Sequence, residues 1–256
     1  MNVTPLTVMS ANLWNINEPL QERMRVFSAM VAELRPDVIA MQEVRPFPGS
    51  AARLQLELVD ALADYHVHYS VGCTWDGQAE GLAIATREPA ADVRTYRLPG
   101  GGTEPDRVTQ YVRVPSGDGW VGVLNAHLAY QADSDALRVA QAEFIGDVVA
   151  ELAELRPRDG FAVCGDLNAT PDSAAVARLC ERGGLDNPWL EISRERPSFA
   201  SDNPYMGDWS DTDSWLDYIL TRGVTPSALR LIDDWPAGPA SDHHFLIVEL
   251  GEPAGR

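Results

Sequence analysis

Polar side chains suited to hydrolytic chemistry occur in four short clusters, each at the end of an apolar stretch. Two clusters lie near the start of the chain and two near its end, at residues 10–14, 41–44, 164–168 and 241–243. Strands can deliver the side chains at their ends to one edge of a rigid sheet, so the four clusters can form a single site. Carboxylates, amides and imidazoles gathered in this way are typical of metal-assisted hydrolysis.

Asp166 and Asn168 follow the apolar stretch 161–164 and precede a turn at 169–171. Side chains two residues apart at a strand end can reach one ligand. The carboxylate can orient a water molecule while the amide donates to a phosphoryl oxygen. An ordinary Asx-type turn explains the two residues equally well, so their interpretation depends on the other clusters.

His243 belongs to the sequence Ser-Asp-His-His at 241–244, directly before the apolar stretch 245–248. A neutral imidazole can take a proton from water, and a charged one can stabilise a phosphorane-like transition state. Asp217 lies in an otherwise apolar strand, where a carboxylate without a partner would be costly. We therefore predict a hydrogen bond between Asp217 and His243 that fixes the tautomer of the imidazole.

Glu43 closes a short apolar stretch and is a natural anchor for Mg²⁺, which takes few protein ligands and keeps several waters. Asn12 ends the first predicted strand and could support the metal or a substrate oxygen if the two strands pair. His127 also projects from a strand end. A single histidine there is more often structural, and only the other clusters favour a function. His66 and His68 have no further ligand beside them and are interpreted as structural.

The elements that must position these residues alternate between strand and helix at the start of the chain. Apolar periodicity predicts strands at 6–13 and 38–41 and helices at 18–34 and 51–63. Short strands separated by turn residues follow, with helices between the later ones. We predict strands at 66–71, 81–86, 93–98, 108–114, 120–126, 161–164, 215–220, 229–232 and 245–250, and helices at 134–155 and 173–180. Two sheets with helices on their outer faces satisfy this order.

Length, charge and cysteine content limit the class of protein. The 256 residues contain no linker or repeat, which predicts a single domain over 1–256. The net charge of −18 should repel polyanions, so nucleic acid is disfavoured as a substrate but not excluded. Cys73, Cys164 and Cys180 form no disulfide framework. The chain begins without a signal peptide and has no apolar stretch of membrane-spanning length, so we expect a cytoplasmic monomer without integral membrane association.

Seven short motifs follow one another along nearly the whole chain. They are Ala-Asn-Leu-Trp-Asn at 11–15, Gln-Glu at 42–43, Glu-Gly-Leu-Ala-Ile-Ala-Thr-Arg at 80–87, Asn-Ala-His-Leu at 125–128, Gly-Asp-Leu-Asn at 165–168, Leu-Asp-Tyr-Ile at 216–219 and Ser-Asp-His at 241–243. In this order the motifs resemble the endonuclease/exonuclease/phosphatase superfamily, which is DNase I-like. The resemblance implies an α/β (α+β) fold, a four-layered α/β/β/α sandwich of two mostly antiparallel sheets between outer helices.

The same resemblance implies a divalent metal, Mg²⁺ or Mn²⁺, in the site. Glu43 would be its chief ligand, with Asn12 and Asp242 near it. Asp166 would position or activate the attacking water, and Asn168 would contact the phosphate.

The resemblance also implies roles for the histidines and their neighbours. His243, paired with Asp217, would be the general acid/base or an electrostatic stabiliser, and His127 would bind a phosphoryl oxygen. Glu80 falls where some members use an acid to orient that histidine. Arg107 falls where some members place an arginine that contacts phosphate.

Three functions remain open at this stage. The favoured one is in-line hydrolysis of a phosphodiester or phosphomonoester in a small molecule or lipid headgroup. The acidic and aromatic loop 198–213 suits such a substrate, although an ordinary surface loop explains it as well. A metal-dependent endonuclease or exonuclease is second, and it would be favoured by a basic strip formed by Arg87, Arg94, Arg107 and Arg113. A catalytically silent binding domain is third, because no catalytic position is visibly lost.

Overall fold

The computed structural model describes residues 5–50, 53–75, 77–101, 104–188, 196–207 and 213–253. Within these residues the chain forms eleven strands and three α-helices. The strands are β1 (Leu6–Asn12), β2 (Val38–Val44), β3 (His66–Trp75), β4 (Gln78–Thr86), β5 (Asp92–Arg97), β6 (Val108–Ser116), β7 (Gly119–His127), β8 (Gly160–Asp166), β9 (Asp217–Arg222), β10 (Pro226–Ile232) and β11 (Phe245–Leu250). The helices are α1 (Leu20–Leu34), α2 (Asp135–Leu155) and α3 (Ala174–Gly183). None of these helices is long and apolar enough to cross a membrane.

The strands form two mixed sheets. The first has the order β10-β11-β1-β2-β4-β3, and the second has the order β5-β6-β7-β8-β9. Two neighbouring pairs, β1 with β2 and β7 with β8, are parallel. Each of these pairs is connected through a helix, as parallel strands require. The remaining neighbours run antiparallel.

The two sheets pack face to face between the helices. Their inner faces meet in one apolar cluster that includes Val8 and Ala40 of the first sheet and Val123 and Ala162 of the second. On the outer faces, α1 packs on the first sheet, and α2 and α3 pack on the second. Central strands buried on both faces are apolar almost throughout, which is why the sequence showed them as continuous apolar stretches. The expected four-layered sandwich is confirmed.

The helix predicted at 51–63 is wrong. The described part of this segment forms two short 3-10 helices, Gln55–Leu58 and Asp60–Asp64. Just before them, Phe47 N donates to Arg53 O at 2.7 Å and Pro46 forms a β-bridge with Leu54. The side chain of Gln55 also accepts from Arg45 N at 2.9 Å. These contacts hold the start of the described segment in a non-helical conformation, where the apolar pattern indicated a helix.

The topology brings the polar clusters to one edge of the sandwich. Asn12 and Glu43 lie at the ends of the parallel strands β1 and β2, and His127 and Asp166 end the parallel strands β7 and β8. Asp217 begins β9 opposite Asp166, because β9 runs antiparallel to β8. Parallel strands present their carboxyl ends at the same edge of a sheet, so each sheet contributes one pair of side chains to the site.

Candidate active site

Glu43 reaches the cleft from a bulge in β2. The register between β2 and β4 shifts between Met41 and Val44, so two residues of β2 oppose one residue of β4. At Glu43 the backbone has a φ of 55°, in the left-handed region. Bulges of this kind redirect a side chain. Here the bulge turns the carboxylate into the cleft at the edge of the sandwich.

Asn12 connects the acids of the two sheets. Its Nδ2 donates to Glu43 Oε1 at 3.1 Å and to Asp166 Oδ2 at 3.0 Å. Its Oδ1 accepts from Trp14 N at 2.9 Å, which fixes the orientation of the amide. The expected pairing of the first two strands is present, with Asn12 opposite Gln42. The buried amide therefore holds Glu43 and Asp166 in a fixed relation.

Three carboxylates, Glu43, Glu80 and Asp242, line one side of the cleft. Burial, together with the negative charges of Glu80 and Asp242, raises the pKa of Glu43 to about 8. Burial also raises the pKa of Asp242. Carboxylates forced together in this way are a hard oxygen donor set, and a divalent cation among them would relieve their repulsion. These residues therefore fit the Mg²⁺ or Mn²⁺ that the sequence implied.

Asp166 is a buried carboxylate held by two neighbours. Its Oδ1 accepts from Asn168 N at 2.8 Å, and Asn12 occupies one side of Oδ2. Burial raises the pKa of Asp166 to about 6, with His243 opposing and Asp217 adding to the shift. The Asx-type turn considered from the sequence is thus present, and it aims the free side of Oδ2 at the cleft. Asn168 Nδ2 donates to Leu128 O at 3.2 Å and lines the same cleft.

The hydrogen bond predicted between Asp217 and His243 is present. Nδ1 of His243 lies 2.7 Å from Asp217 Oδ2, and Nε2 lies 3.8 Å from Asp166 Oδ2. Burial disfavours the charged ring, but Asp217, with Asp242 and Asp166, raises the pKa of His243 well above its ordinary value of 6.5. Phe199 covers the imidazole, with ring centroids 4.9 Å apart. These carboxylates therefore favour the protonated form of His243, whose Nε2 lies on the Asp166 side.

His127 lies on the other side of Asp166, with Nε2 3.6 Å from Oδ2. Its Nδ1 is 2.9 Å from Arg107 Nη1. Arginine can only donate, so Nδ1 is the acceptor and Nε2 carries the proton. Burial, with the Arg107 cation and His243, lowers the pKa of His127 well below its ordinary value of 6.5. His127 therefore offers a neutral N–H donor to the cleft.

The sequence profile of the Endonuclease/Exonuclease/phosphatase family matches residues 9–243. The chain belongs to this family. The family includes metal-dependent phosphoesterases and nucleases, and its members are generally hydrolases of phosphoester bonds. No curated protein matches the sequence.

Solved structures of family proteins share the fold. An endonuclease/exonuclease/phosphatase from Beutenbergia cavernae has a TM-score of 0.72 at 21% identity, covering 97% of this chain and 72% of that one. A second, from Bacteroides vulgatus, has a TM-score of 0.78 at 15% identity, covering 97% and 99%. TDP2 from Caenorhabditis elegans has a TM-score of 0.75 at 20% identity, covering 98% and 77%. At such identities the likeness establishes the fold alone.

One sequence expectation about this family site differs from the geometry. Glu80 was expected to orient His127, but the group at Nδ1 of His127 is Arg107. Glu80 instead accepts from Arg45 Nε at 2.9 Å and from Asn15 Nδ2 at 3.2 Å. The difference arises because β4 places Glu80 beside the bulge in β2 and the loop after β1, where these donors lie.

A buried polar pair at the site end of the sandwich joins two residues of the sequence motifs to which the sequence assigned no role. Gln42 Nε2 donates to Asn125 Oδ1 at 2.7 Å across the interface between the sheets. Asn125 Nδ2 in turn donates to Met41 O and Ala83 O at 2.9 and 3.1 Å. Both residues follow apolar stretches and are fully buried, a signal similar to the one that pointed to Asp217. The pair fixes the two sheets relative to each other beside the site.

The cleft has a volume of about 640 Å³ and is lined by both polar and apolar side chains. We call its six large apolar lining residues the apolar rim: Trp14, Tyr130, Phe199, Tyr205, Met206 and Leu216. The rings of Trp14 and Tyr205 are 5.3 Å apart. Of the acidic and aromatic loop residues noted in the sequence, Asp208, Trp209 and Asp211 lie outside the described residues.

Proposed function

We propose that the chain is a divalent-metal-dependent hydrolase of a phosphodiester or phosphomonoester bond in a small molecule or lipid headgroup. Three polar groups converge on one buried oxygen, and this convergence supports the proposal most directly. Asn12, His127 and His243 lie 3.0, 3.6 and 3.8 Å from Asp166 Oδ2. A carboxylate surrounded by donors can hold a water molecule against a phosphorus atom while the donors bind the phosphoryl oxygens.

The metal is assigned to the acids on one side of the cleft. Glu43 and Asp242 would hold it, with the side chain of Asn12 beside Glu43. When bound, Mg²⁺ or Mn²⁺ neutralises negative charge on the phosphoryl group and on the leaving oxygen. Asp166, Asp217 and His243 also offer ligand atoms within 4.8 Å of one another. Asp217 and His243 already share a hydrogen bond, which favours proton handling there.

The remaining side chains of the site each have one role in the hydrolysis. Asp166 orients the attacking water and accepts its proton, which suits a carboxylate whose pKa is raised to about 6. His127 donates from Nε2 to one phosphoryl oxygen, and Asn168 donates to another. His243, held as a cation by Asp217, stabilises the charge that develops on the phosphoryl group. This arrangement needs no covalent intermediate.

The surroundings of the cleft favour a small, partly apolar substrate. Aromatic and aliphatic side chains form the rim, and they match an apolar group better than a sugar-phosphate backbone. Three arginines of the strip that would favour a nuclease are paired with acids: Arg87 with Asp37, Arg94 with Asp92 and Arg113 with Asp159. Arg107 is buried against His127. Hydrolysis of nucleic acid remains the second proposal, since the family includes nucleases.

A substrate panel tests the proposed function. Sphingomyelin, aryl phosphodiesters, nucleotides, sugar phosphates and oligonucleotides are incubated with Mg²⁺ or Mn²⁺, and product release is measured. We expect metal-dependent turnover that chelation by EDTA abolishes, fastest for a substrate with an apolar group. Asp166→Asn should lower kcat by at least about 10²-fold. Asp147→Asn, a change in an exposed ion pair on α2, should retain the wild-type rate.

The panel also separates the alternatives. Absence of turnover on every substrate would favour a silent binding domain. Preference for oligonucleotides would favour the nuclease. Full activity of Asp166→Asn would contradict the assignment of the water-positioning carboxylate.

A further inference from the structure

Arg23 is fully buried on α1, with an exposed fraction of 0%. Its guanidinium donates to main-chain carbonyl oxygens that lie beside the site. The contacts are Nε with Asn17 O at 3.0 Å, Nη1 with Leu13 O at 2.8 Å and Ala240 O at 3.0 Å, and Nη2 with Trp14 O at 3.4 Å, Asn15 O at 3.1 Å and Asn17 O at 2.7 Å. Burying a cation is costly unless it is hydrogen-bonded, and these contacts provide that compensation.

Four of the five acceptor residues belong to the loop that follows Asn12. Within this loop Trp14 and Asn15 have φ angles of 50° and 59°, in the left-handed region. Such angles are unfavourable for a bulky residue and persist only where the surroundings impose them. Arg23 stabilises these angles, because its guanidinium hydrogen-bonds the carbonyl groups of the loop and lies 4.9 Å from the Trp14 ring. The loop in turn fixes Asn12, whose Oδ1 accepts from Trp14 N.

The fifth acceptor joins a second part of the site. Ala240 directly precedes the segment 241–243, which carries Asp242 and His243. One planar guanidinium thus connects the end of β1 with the start of the Ser-Asp-His motif, although Arg23 and Ala240 are 217 residues apart along the chain. Arginine presents its donors in a rigid fork, so the two segments are held at one fixed separation.

The charge of Arg23 also acts on the metal acids. Burial lowers the pKa of Arg23, and the negative charges of Asp242 and Glu43 oppose that shift. Its positive charge attracts these two carboxylates, which repel each other. It therefore reduces the cost of bringing these oxygens together before a cation arrives.

We propose that Arg23 is a positioning residue of the metal site, holding the loop after β1 and the segment before Asp242 so that the acids are preorganised for a divalent cation. This inference rests on the proposed function, because it assumes a metal at Glu43 and Asp242. Arg23 touches neither substrate nor metal. Its effect is on affinity for the cation.

The test compares two buried arginines by titration with Mn²⁺. Arg138 on α2 is the control, since it is 6% exposed and donates to Ala129 O and Gln131 O at 3.0 and 2.7 Å in the loop after β7, which carries none of the proposed metal ligands. Arg23→Lys and Arg138→Lys should both lower the thermal midpoint. Only Arg23→Lys should raise the Kd for Mn²⁺, by about 10-fold or more. Saturating Mn²⁺ should then restore much of its kcat.

The outcomes separate this inference from the proposed function. If the wild-type chain does not bind Mn²⁺, the metal assignment itself is wrong. If the wild type binds and Arg23→Lys has the same Kd, or Arg138→Lys loses as much affinity, the positioning role is overturned while the function stands. Where Arg23→Lys does not fold, Arg23→Gln replaces it, with the same expected loss. If neither folds in saturating Mn²⁺ while Arg138→Lys does, Arg23 serves folding alone and the proposal is overturned.

Discussion

Burial and neighbouring charges give the two histidines of the cleft opposite protonation states. Burial dominates at His127, where the Arg107 cation adds to it, so the ring is neutral. At His243 the carboxylates of Asp217, Asp242 and Asp166 overcome burial, so the ring is charged. Both rings nevertheless have Nε2 on the Asp166 side, 3.6 and 3.8 Å from its Oδ2. A charged His243 suits electrostatic stabilisation or proton donation better than proton abstraction, which leaves Asp166 as the base.

The Asp217 carboxylate should control the reactivity of His243. Asp217→Asn replaces the acceptor at Nδ1 with a neutral amide and removes the charge that keeps the ring protonated. We expect kcat on an aryl phosphodiester to fall by about 10²- to 10⁴-fold with little change in KM. Adding His243→Ala to this variant should cost little more, because two residues that act as a unit are not additive. Independent, multiplying losses would show that the pair is not a functional unit.

His127 should couple stability to pH. Its pKa is lowered in the folded chain, so below 6.5 the unfolded chain binds a proton that the folded chain does not. The contribution of His127 to stability is therefore present above pH 6.5 and is lost as the pH falls toward the folded pKa. Between pH 7 and pH 5.5, the wild type should lose about 1 kcal/mol of unfolding free energy relative to His127→Gln. Urea titrations at the two pH values measure this difference. Equal losses of unfolding free energy in the wild type and in His127→Gln would contradict a neutral His127.

At the level of elements, the strand ends could be predicted from sequence, but the angles at which they present side chains could not. Apolar stretches stop at Asn12, Glu43, His127 and Asp166, and this local signal located most of the site. The bulge at Glu43 depends on the register between β2 and β4, which a single strand does not encode. Arg23 has no sequence signal beyond being a cation on the apolar face of a helix, because its acceptors are carbonyl groups.

The position directly before Asp166 tolerates no side chain, and Gly165 occupies it. Its φ is 137°, and a Cβ there would lie 1.9 Å from Ala126 O on β7. Gly165→Ala must therefore push β8 away from β7 and displace Asp166. We expect a loss of more than about 2 kcal/mol in unfolding free energy together with a fall in kcat.

Gly49 offers a matched control for this change. Its φ is 77°, but a Cβ there would meet nothing within 4 Å. Gly49→Ala should therefore show only the backbone cost, about 1 kcal/mol, with kcat unchanged. Chemical denaturation and steady-state kinetics on both variants separate the clash from the backbone strain. Equal losses in the two variants would mean that close packing against β7 does not constrain Asp166.

At the scale of the whole molecule, the net charge and the apolar rim of the cleft select between different classes of substrate. The net charge of −18 repels any polyanion at long range, whereas the aromatic rim acts only on a group already inside the cleft. A diester with one negative charge is affected weakly by the field. An oligonucleotide is affected at every phosphate, and the paired arginines supply no track to offset this repulsion.

Ionic strength should therefore distinguish the two substrate classes. Salt shortens the range of the repulsion from about 30 Å at 0.01 M to about 8 Å at 0.15 M. Over this range we expect kcat/KM for a short oligonucleotide to rise several-fold, while kcat/KM for bis-p-nitrophenyl phosphate changes less than about two-fold. The direction in which kcat/KM changes with salt decides the interpretation, because proteins that bind nucleic acid through basic side chains lose affinity as salt increases. A fall in the oligonucleotide rate with salt would reveal such contacts and favour the nuclease over a small, partly apolar substrate.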